Sequence, residues 1–181
     1  MTNERKGDWM QTATGGKYWP IDPRPEEVSI EDIAHALSLM CRFNGHCNEF
    51  YSVAEHSYYV SLLVPPEYAL EALLHDASEA YIADIVRPAK RFIDGYVDIE
   101  DRNMKAISER FGLNYPMSPE VKRADTILLA TEAKQIMVKE PDDWKLAEEA
   151  HLTLKIQCLG PKEAEELFLE RFNELTQHTN E

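Results

Sequence analysis

The chain has 181 residues, of which 44% are hydrophobic and 29% are charged, a composition typical of one globular domain with a sizeable core. Its formal net charge of −14 argues against DNA or RNA as a partner, because non-specific nucleic-acid binding depends on clustered Lys and Arg. Cys41, Cys47 and Cys158 form no CxxC pair, and no segment has the roughly 18 consecutive apolar residues of a membrane-spanning helix. We therefore expect free thiols, no membrane contact and a cytoplasmic location.

The first part of the chain differs in composition from the rest. Residues 1–27 are polar and rich in Pro and Gly, and they contain the aromatic patch KYWPIDP. We interpret them as an N-terminal arm, either extended or a short hairpin, that Trp19 anchors on the domain. Residues 28–181 carry dense helical signals and are expected to form one helical domain.

Six helices are predicted in this second part from apolar residues at helical spacing. In chain order they are the run IEDIAHALSLMCRF capped by Ser29, residues 52–64, residues 66–80, the run VDIEDRNMKAISERFG ending at Gly112, the run SPEVKRADTILLATEAKQIMV, and the run GPKEAEELFLERFNELTQH. No segment alternates convincingly as a strand does, so the predicted fold class is all-α.

Two ionisable residues interrupt the apolar face of the third predicted helix. Leu73, Leu74 and Ala77 mark that face, and His75 and Asp76 stand among them. Burying a carboxylate costs several kcal/mol unless it is paired, hydrogen-bonded or bound to a cation. Asp76 therefore needs a partner from elsewhere in the chain, or a metal ion.

Other helices offer ligands for such an ion. His56 lies within an apolar frame on the second helix, and Asp125 stands on the inward side of the fifth. Two imidazoles and two carboxylates from three packed helices would hold a metal and leave open positions for water and substrate. This mixed set of N and O donors does not choose among Mn²⁺, Co²⁺, Fe²⁺, Zn²⁺ and Mg²⁺.

Further acids and cations follow the His-Asp pair. Glu79 lies four residues after His75, on the same face of the predicted helix, where a carboxylate suits proton transfer to or from a nearby water. Asp84 follows near the helix end and could serve the same reaction. Lys90 brings positive charge into an acidic protein, as phosphate binding requires. Together these residues predict metal-assisted hydrolysis of a phosphate ester.

The runs FYSVAEHS, HDASEAYIADIVRPAK and RADTILLATEA, in this order, resemble the HD-domain phosphohydrolases. Among them the chain looks closest to the bacterial 5′-deoxynucleotidases and to related phage and prophage enzymes, some of which act on deoxynucleoside triphosphates. The resemblance covers most of residues 30–136 and implies a compact HD-domain helical bundle. It implies that one divalent metal is bound by His56, His75, Asp76 and Asp125, and that Glu79 and Asp84 are the catalytic acids.

The resemblance also bears on the substrate. An Arg-aromatic pair contacts the nucleotide in that family, which implies Arg42 and Phe43 here, and we add Lys90 as a phosphate contact. The family often has Trp at the second position of this pair, so the replacement by Phe43 leaves the base and sugar preference open. The implied reaction converts a deoxyribonucleoside 5′-monophosphate to deoxynucleoside and phosphate, in a homo-oligomer. The alternatives are a deoxynucleoside triphosphate triphosphohydrolase and a non-catalytic nucleotide-binding HD protein.

Overall fold

The computed structural model describes residues 5–141 and 144–177. These residues are mostly helical, which is consistent with the predicted all-α class, and they contain one two-stranded antiparallel hairpin. The strands are β1 Met10–Gln11 and β2 Lys17–Tyr18. The helices are α1 Ile30–Leu39, α2 Val53–Leu62, α3 Ala69–Leu73, α4 Glu79–Ile82, α5 Arg87–Lys90, α6 Tyr96–Phe111, α7 Pro119–Gln135 and α8 Pro161–Gln177, with short 3₁₀ turns at Pro25–Glu27, Arg42–Gly45 and Pro66–Tyr68.

Local sequence signals account for several helix ends. The side chain of Ser29 accepts a hydrogen bond from the amide of Asp32, and Ser52 caps α2 in the same way through the amide of Glu55. Gly112 ends α6 in the left-handed conformation, with φ of 66°, which glycine adopts at little cost. The second, fourth, fifth and sixth predicted helices are confirmed within a few residues at each end.

The core lies where α1, α2, α3 and α8 meet. Ile33, Leu37, Val53, Leu73 and Phe168 have no exposed surface there, and burying each such side chain is worth about 1.5–3 kcal/mol. A second buried cluster joins α2 to α7. Because α2 contributes to both clusters, its position is fixed on either side.

The N-terminal hairpin is built into this core. Tyr18 is completely buried, stacks on Tyr81 with ring centroids 3.7 Å apart, and donates a hydrogen bond of 2.7 Å to Oδ1 of Asn103. Trp19 is only partly buried. Of the two predicted alternatives for this segment, the structure shows the short hairpin, and Tyr18 rather than Trp19 is its buried anchor.

The first helix is shorter than predicted. It ends at Leu39, and the chain then runs antiparallel to the segment before α2. The amide of Val53 donates to the carbonyl of Met40 at 3.0 Å, and the amide of Arg42 donates to the carbonyl of Tyr51 at 2.8 Å. These long-range bonds replace those of a continuing helix, so the Arg-Phe pair lies in a 3₁₀ turn.

The prediction of one continuous helix over residues 66–80 is wrong. α3 ends at Leu73, residues 74–78 form consecutive turns, and α4 begins at Glu79. Within the turns the amide of Ala77 donates to the carbonyl of Leu74 at 3.1 Å, three residues back. The His-Asp pair therefore lies in a break between two short helices, and its side chains are not spaced as on an α-helical face.

The sequence also predicts that the chain has no membrane-spanning helix and that its cysteines are free thiols. No helix within residues 5–141 and 144–177 is long and apolar enough to cross a membrane. All three cysteines are free thiols, as predicted. The sulfur atoms of Cys41 and Cys47 lie 3.6 Å apart, on either side of the Arg-Phe turn.

Candidate metal centre

Side chains from three elements meet at one point. α2 carries His56, the α3–α4 turn carries His75, and α7 carries Asp125. Nε2 of His56 lies 3.3 Å from Nε2 of His75 and 3.3 Å from Oδ1 of Asp125, and the latter two atoms are 4.0 Å apart. This group of three could hold a metal ion.

Asp76, the fourth predicted ligand, borders the same point. Its Oδ2 lies 3.2 Å from Nε2 of His75 and 3.7 Å from Nε2 of His56. The break after α3 makes this possible, because neighbouring residues on a regular helix point about 100° apart. The four side chains that the resemblance implied are thus together in the structure.

The outer nitrogens of both imidazoles are occupied. Nδ1–H of His56 donates to Oε1 of Glu132 at 2.6 Å, and Nδ1–H of His75 donates to the carbonyl of Ala72 at 2.8 Å. In neutral histidine the other nitrogen then carries only a lone pair. Two lone pairs that face each other at 3.3 Å, with carboxylates beside them, repel unless a cation or a proton lies between them.

The pKa shifts of His56, Asp125 and Asp76 likewise favour positive charge on the imidazole and negative charge on the carboxylates. Burial and Arg42 oppose protonation of His56, but Glu132 and Asp125 outweigh them and raise its pKa to about 9. Burial raises the pKa of Asp125, but its contact with His56 has the larger, opposite effect, and the pKa falls to about 2. The pKa of Asp76 is also lowered, since His75, His56 and Arg42 together overcome its burial.

Glu132 belongs to this centre although the sequence analysis gave it no role. It is completely buried, and besides His56 it binds Arg42, whose terminal nitrogen donates to Oε2 at 3.1 Å. These two cations lower its pKa against the effect of burial. Glu132 lies seven residues after Asp125, which places both on one face of α7. That spacing is the signal that could have identified it.

Arg42 lies against the acidic side of the centre. Its side chain is only 12% exposed, and one terminal nitrogen is 3.6 Å from Oδ2 of Asp76. These carboxylates raise its pKa despite its burial. Nε of Arg42 is buried and has no hydrogen-bond partner among the described residues. The guanidinium therefore keeps one donor free beside the ligands.

Glu79 and Asp84, the predicted catalytic acids, lie beside the centre. Glu79 is 8% exposed, and its Oε2 has no hydrogen-bond partner within the described parts of the chain. Burial and the nearby charges of Asp76 and Asp84 raise the pKa of Glu79 well above its ordinary value. Burial also raises the pKa of Asp84. The same burial and neighbouring charges favour the protonated form of Glu79 more than in an exposed glutamate.

The predicted phosphate contact Lys90 is already engaged. Its ammonium group pairs with Glu100 and lies 5.5 Å from the ring of Tyr96. Its charge still reaches the site, since it opposes the raised pKa values of Glu79 and Asp84. Arg87 supplies another cation, with a terminal nitrogen 4.0 Å from Oδ2 of Asp125 and a side chain that is 76% exposed.

Comparison with known proteins places the chain in a family. No protein-family model matches it. It is 40% identical over 171 residues to the uncharacterized protein YfdR of Escherichia coli K12, a match that covers 93% of this chain and 96% of YfdR. The chain belongs to the YfdR family. An uncharacterized protein of Rhodobacter capsulatus is 39% identical over 145 residues, 72% of this chain and 74% of that protein.

The match to YfdR covers nearly all of both proteins, so the family relationship includes the helices that carry the candidate metal centre. Both relatives are named as uncharacterized proteins, so neither name assigns an activity or a ligand.

Proposed function

We propose that the chain is an HD-domain phosphohydrolase that uses one divalent metal ion to hydrolyse deoxyribonucleoside 5′-monophosphates. The observation that carries the proposal is the meeting of His56, His75, Asp76 and Asp125 beside the buried guanidinium of Arg42. The order of these residues, together with Glu79 and Asp84, resembles the HD-domain pattern. We further expect a cytoplasmic homo-oligomer.

The donor set fits a divalent ion. Ligand atoms that each lie about 2.0–2.2 Å from one metal are about 3–4 Å from each other. Three of the candidate donor atoms are separated by 3.3, 3.3 and 4.0 Å. When bound, a divalent ion supplies Lewis-acid polarisation of a phosphate oxygen and of water. The N and O donors suit Mn²⁺, Co²⁺, Fe²⁺, Zn²⁺ and, less specifically, Mg²⁺.

Arg42 is the proposed phosphate-binding side chain. A buried guanidinium binds phosphate oxygens through strong, directional, charge-assisted hydrogen bonds. Glu132 holds one end of the Arg42 side chain, and the buried Nε has no hydrogen-bond partner among the described residues. Arg42 would therefore orient the phosphate against the metal ligands and offset its negative charge.

Glu79 and Asp84 are the proposed proton carriers. Hydrolysis at phosphorus needs a proton to leave the attacking water and a proton to reach the departing 5′ oxygen. A buried carboxyl with a raised pKa and an unpaired oxygen, as in Glu79, is suited to accept and return a proton in such a reaction. The products would be a deoxynucleoside and inorganic phosphate.

The cations near the site favour a small substrate. A triphosphate carries more negative charge than a monophosphate and needs several cations along its length. Here Arg42 is bound to Glu132, Lys90 is bound to Glu100, and Arg87 is largely exposed. This supports a monophosphate over a triphosphate, which would be cut at the same ester to release triphosphate.

The proposal is tested by product analysis. Protein loaded with Mn²⁺ or Co²⁺ is incubated with dAMP and with dATP, and phosphate and triphosphate are separated by anion-exchange chromatography. We expect phosphate from dAMP, and loss of both activity and bound metal in Asp76→Ala but not in the exposed control Asp98→Ala. Triphosphate from dATP would support the alternative reaction. No product from either nucleotide would overturn the enzymatic proposal, and saturable nucleotide binding without turnover would support a non-catalytic role.

A further inference from the structure

An aromatic surface lies next to the candidate metal centre. The rings of Phe43 and Trp144 are nearly parallel, with an angle of 28° between their planes and 6.3 Å between their centroids. Phe43 is partly buried, whereas Trp144 is 43% exposed. Trp144 lies after α7 in the chain, and 101 residues separate it from Phe43 in the sequence. Nothing in its local sequence assigned it to the site.

One guanidinium separates this surface from the metal ligands. The central carbon of Arg42 is 5.3 Å from the centre of the Phe43 ring, and a terminal nitrogen of the same side chain is 3.6 Å from Asp76. An anion-binding group is thus followed at once by a face of aromatic carbon. A nucleotide has the same order of features, with a charged phosphate and a flat base at opposite ends.

The backbone that carries this face is strained. Phe43 and Asn44 have φ of 56° and 52°, in the left-handed region that residues with a Cβ atom rarely occupy. Such strain persists only where the surrounding structure enforces it, and it is common at ligand-binding sites. Here bonds from Arg42 to Tyr51 and from His46 to Phe43 hold the turn closed.

We infer that Trp144 extends the nucleotide contact already implied for Phe43 into a surface on which the substrate's base stacks, and that Trp144 is a specificity-determining residue. This rests on the proposed function. Every base has a flat π face that stacks on aromatic side chains, and the larger overlap favours purines. The exposed Trp144 is open to such a ligand, and it packs in neither buried cluster of the described chain.

The kinetic experiment compares two substrates that differ only in the base. Trp144→Ala is assayed with dAMP and with 2-deoxyribose 5-phosphate, and Trp144→Phe is assayed alongside it. We expect the KM for dAMP to rise by about tenfold in Trp144→Ala with little change in kcat, as loss of one stacking contact implies. The KM for 2-deoxyribose 5-phosphate should stay unchanged, and Trp144→Phe should recover most of the affinity for dAMP.

The chain offers a matched control. Trp9 is 44% exposed, as Trp144 is to a similar degree, and its ring lies 6.4 Å from that of Trp19 at an angle of 46°. Trp9→Ala should leave both substrates unaffected. An equal effect of Trp144→Ala on both substrates, or no effect on either, would show that Trp144 does not contact the base while the proposed hydrolysis still stands.

A binding measurement separates this inference from the hydrolysis. The chain has three tryptophans, so the double variant Trp9→Phe, Trp19→Phe leaves Trp144 as the sole indole fluorophore. Glu79→Gln is added to this variant to remove a proposed proton carrier, and titration of the metal-loaded protein with dAMP should quench its fluorescence, whereas 2-deoxyribose 5-phosphate should not. Quenching in a protein that hydrolyses no nucleotide would support base stacking and overturn only the proposed activity. Absence of quenching would overturn the stacking surface.

Discussion

At the residue scale, the carboxylate of Glu132 joins a proposed metal ligand to a buried cation, because it contacts both His56 and Arg42. His56, His75 and Asp125 could be selected from the sequence because ionisable side chains within apolar runs need partners. Glu132 was marked only by its seven-residue spacing from Asp125, which is a weak signal because a glutamate in a long helix usually faces solvent. Its role depends on the side chain of Arg42, which lies 90 residues earlier. Only the folded chain brings these two together.

The first prediction concerns Glu132. Replacing it by Gln preserves its shape but removes the charge that binds Arg42 and orients His56. Loss of a carboxylate behind a metal-binding histidine typically weakens metal affinity by about 10–100-fold. Isothermal titration of the metal-free protein with Mn²⁺ or Co²⁺ measures this change without reference to activity.

A second carboxylate–histidine pair provides the control. Nδ1 of His35 lies 3.2 Å from Oε2 of Glu165, in a more exposed setting than the pair at the site. Glu165→Gln should leave the Kd for metal unchanged. A Kd for Glu132→Gln equal to that of this control would show that Glu132 does not support the metal ligands.

At the element scale, helices with local signals were predictable and those shaped by distant contacts were not. The caps at Ser29 and Ser52, and the stop at Gly112, depend on neighbouring residues only. The end of α1 depends on hydrogen bonds to the segment before α2. After Leu73 the chain forms consecutive turns, and the spacing of apolar residues does not distinguish these turns from a continuing helix. Periodicity alone therefore favoured one helix where the chain forms two.

The second prediction concerns the link between α2 and the segment before α8. Glu55 is completely buried, and its carboxylate accepts hydrogen bonds of 3.1, 3.1 and 2.8 Å from the amides of Gln157, Cys158 and Leu159. In Glu55→Gln one oxygen becomes an NH₂ group, which cannot accept a hydrogen bond. We expect the free energy of unfolding to fall by about 1–3 kcal/mol, because a buried amide loses its acceptor.

Urea unfolding followed by circular dichroism measures that change, and the exposed Glu67 provides the matched control. Glu67→Gln should alter the free energy of unfolding by less than about 0.5 kcal/mol. If Glu55→Gln were equally mild, the three amides would have to find other acceptors, and the proposed tie between α2 and this segment would be wrong.

At the scale of the whole molecule, the candidate metal centre joins elements that are far apart in sequence. His56 and Asp125 are 69 residues apart, and their neighbours Ala54 and Ala124 belong to the two different buried clusters. An ion that binds these residues only in the folded chain must stabilise the fold. It would also offset part of a formal charge of −14, which otherwise opposes compaction.

The third prediction follows from this linkage. Metal at 100 times its Kd adds about 2.7 kcal/mol, which for a domain of this size raises Tm by about 5–10 °C. Differential scanning calorimetry of EDTA-treated protein, with and without Mn²⁺, measures the shift at constant ionic strength. Asp125→Asn should abolish most of it and the exposed Asp98→Asn should retain it. An equal shift in both variants would mean that metal binds elsewhere on the acidic surface.

The N-terminal hairpin bears on how shortened versions of the chain should be made. Its composition suggests an appendage that could be trimmed at residue 28, yet Tyr18 fills space beside Tyr81 and satisfies the amide oxygen of Asn103. Arg102 and Asn103 also donate to the carbonyls of Ile21 and Pro20. Removing the hairpin would strip α6 of these partners and open a void the size of a phenol ring. Expression tags and fusions are better accommodated ahead of Arg5, outside the first ion pairs with Asp22 and Glu27.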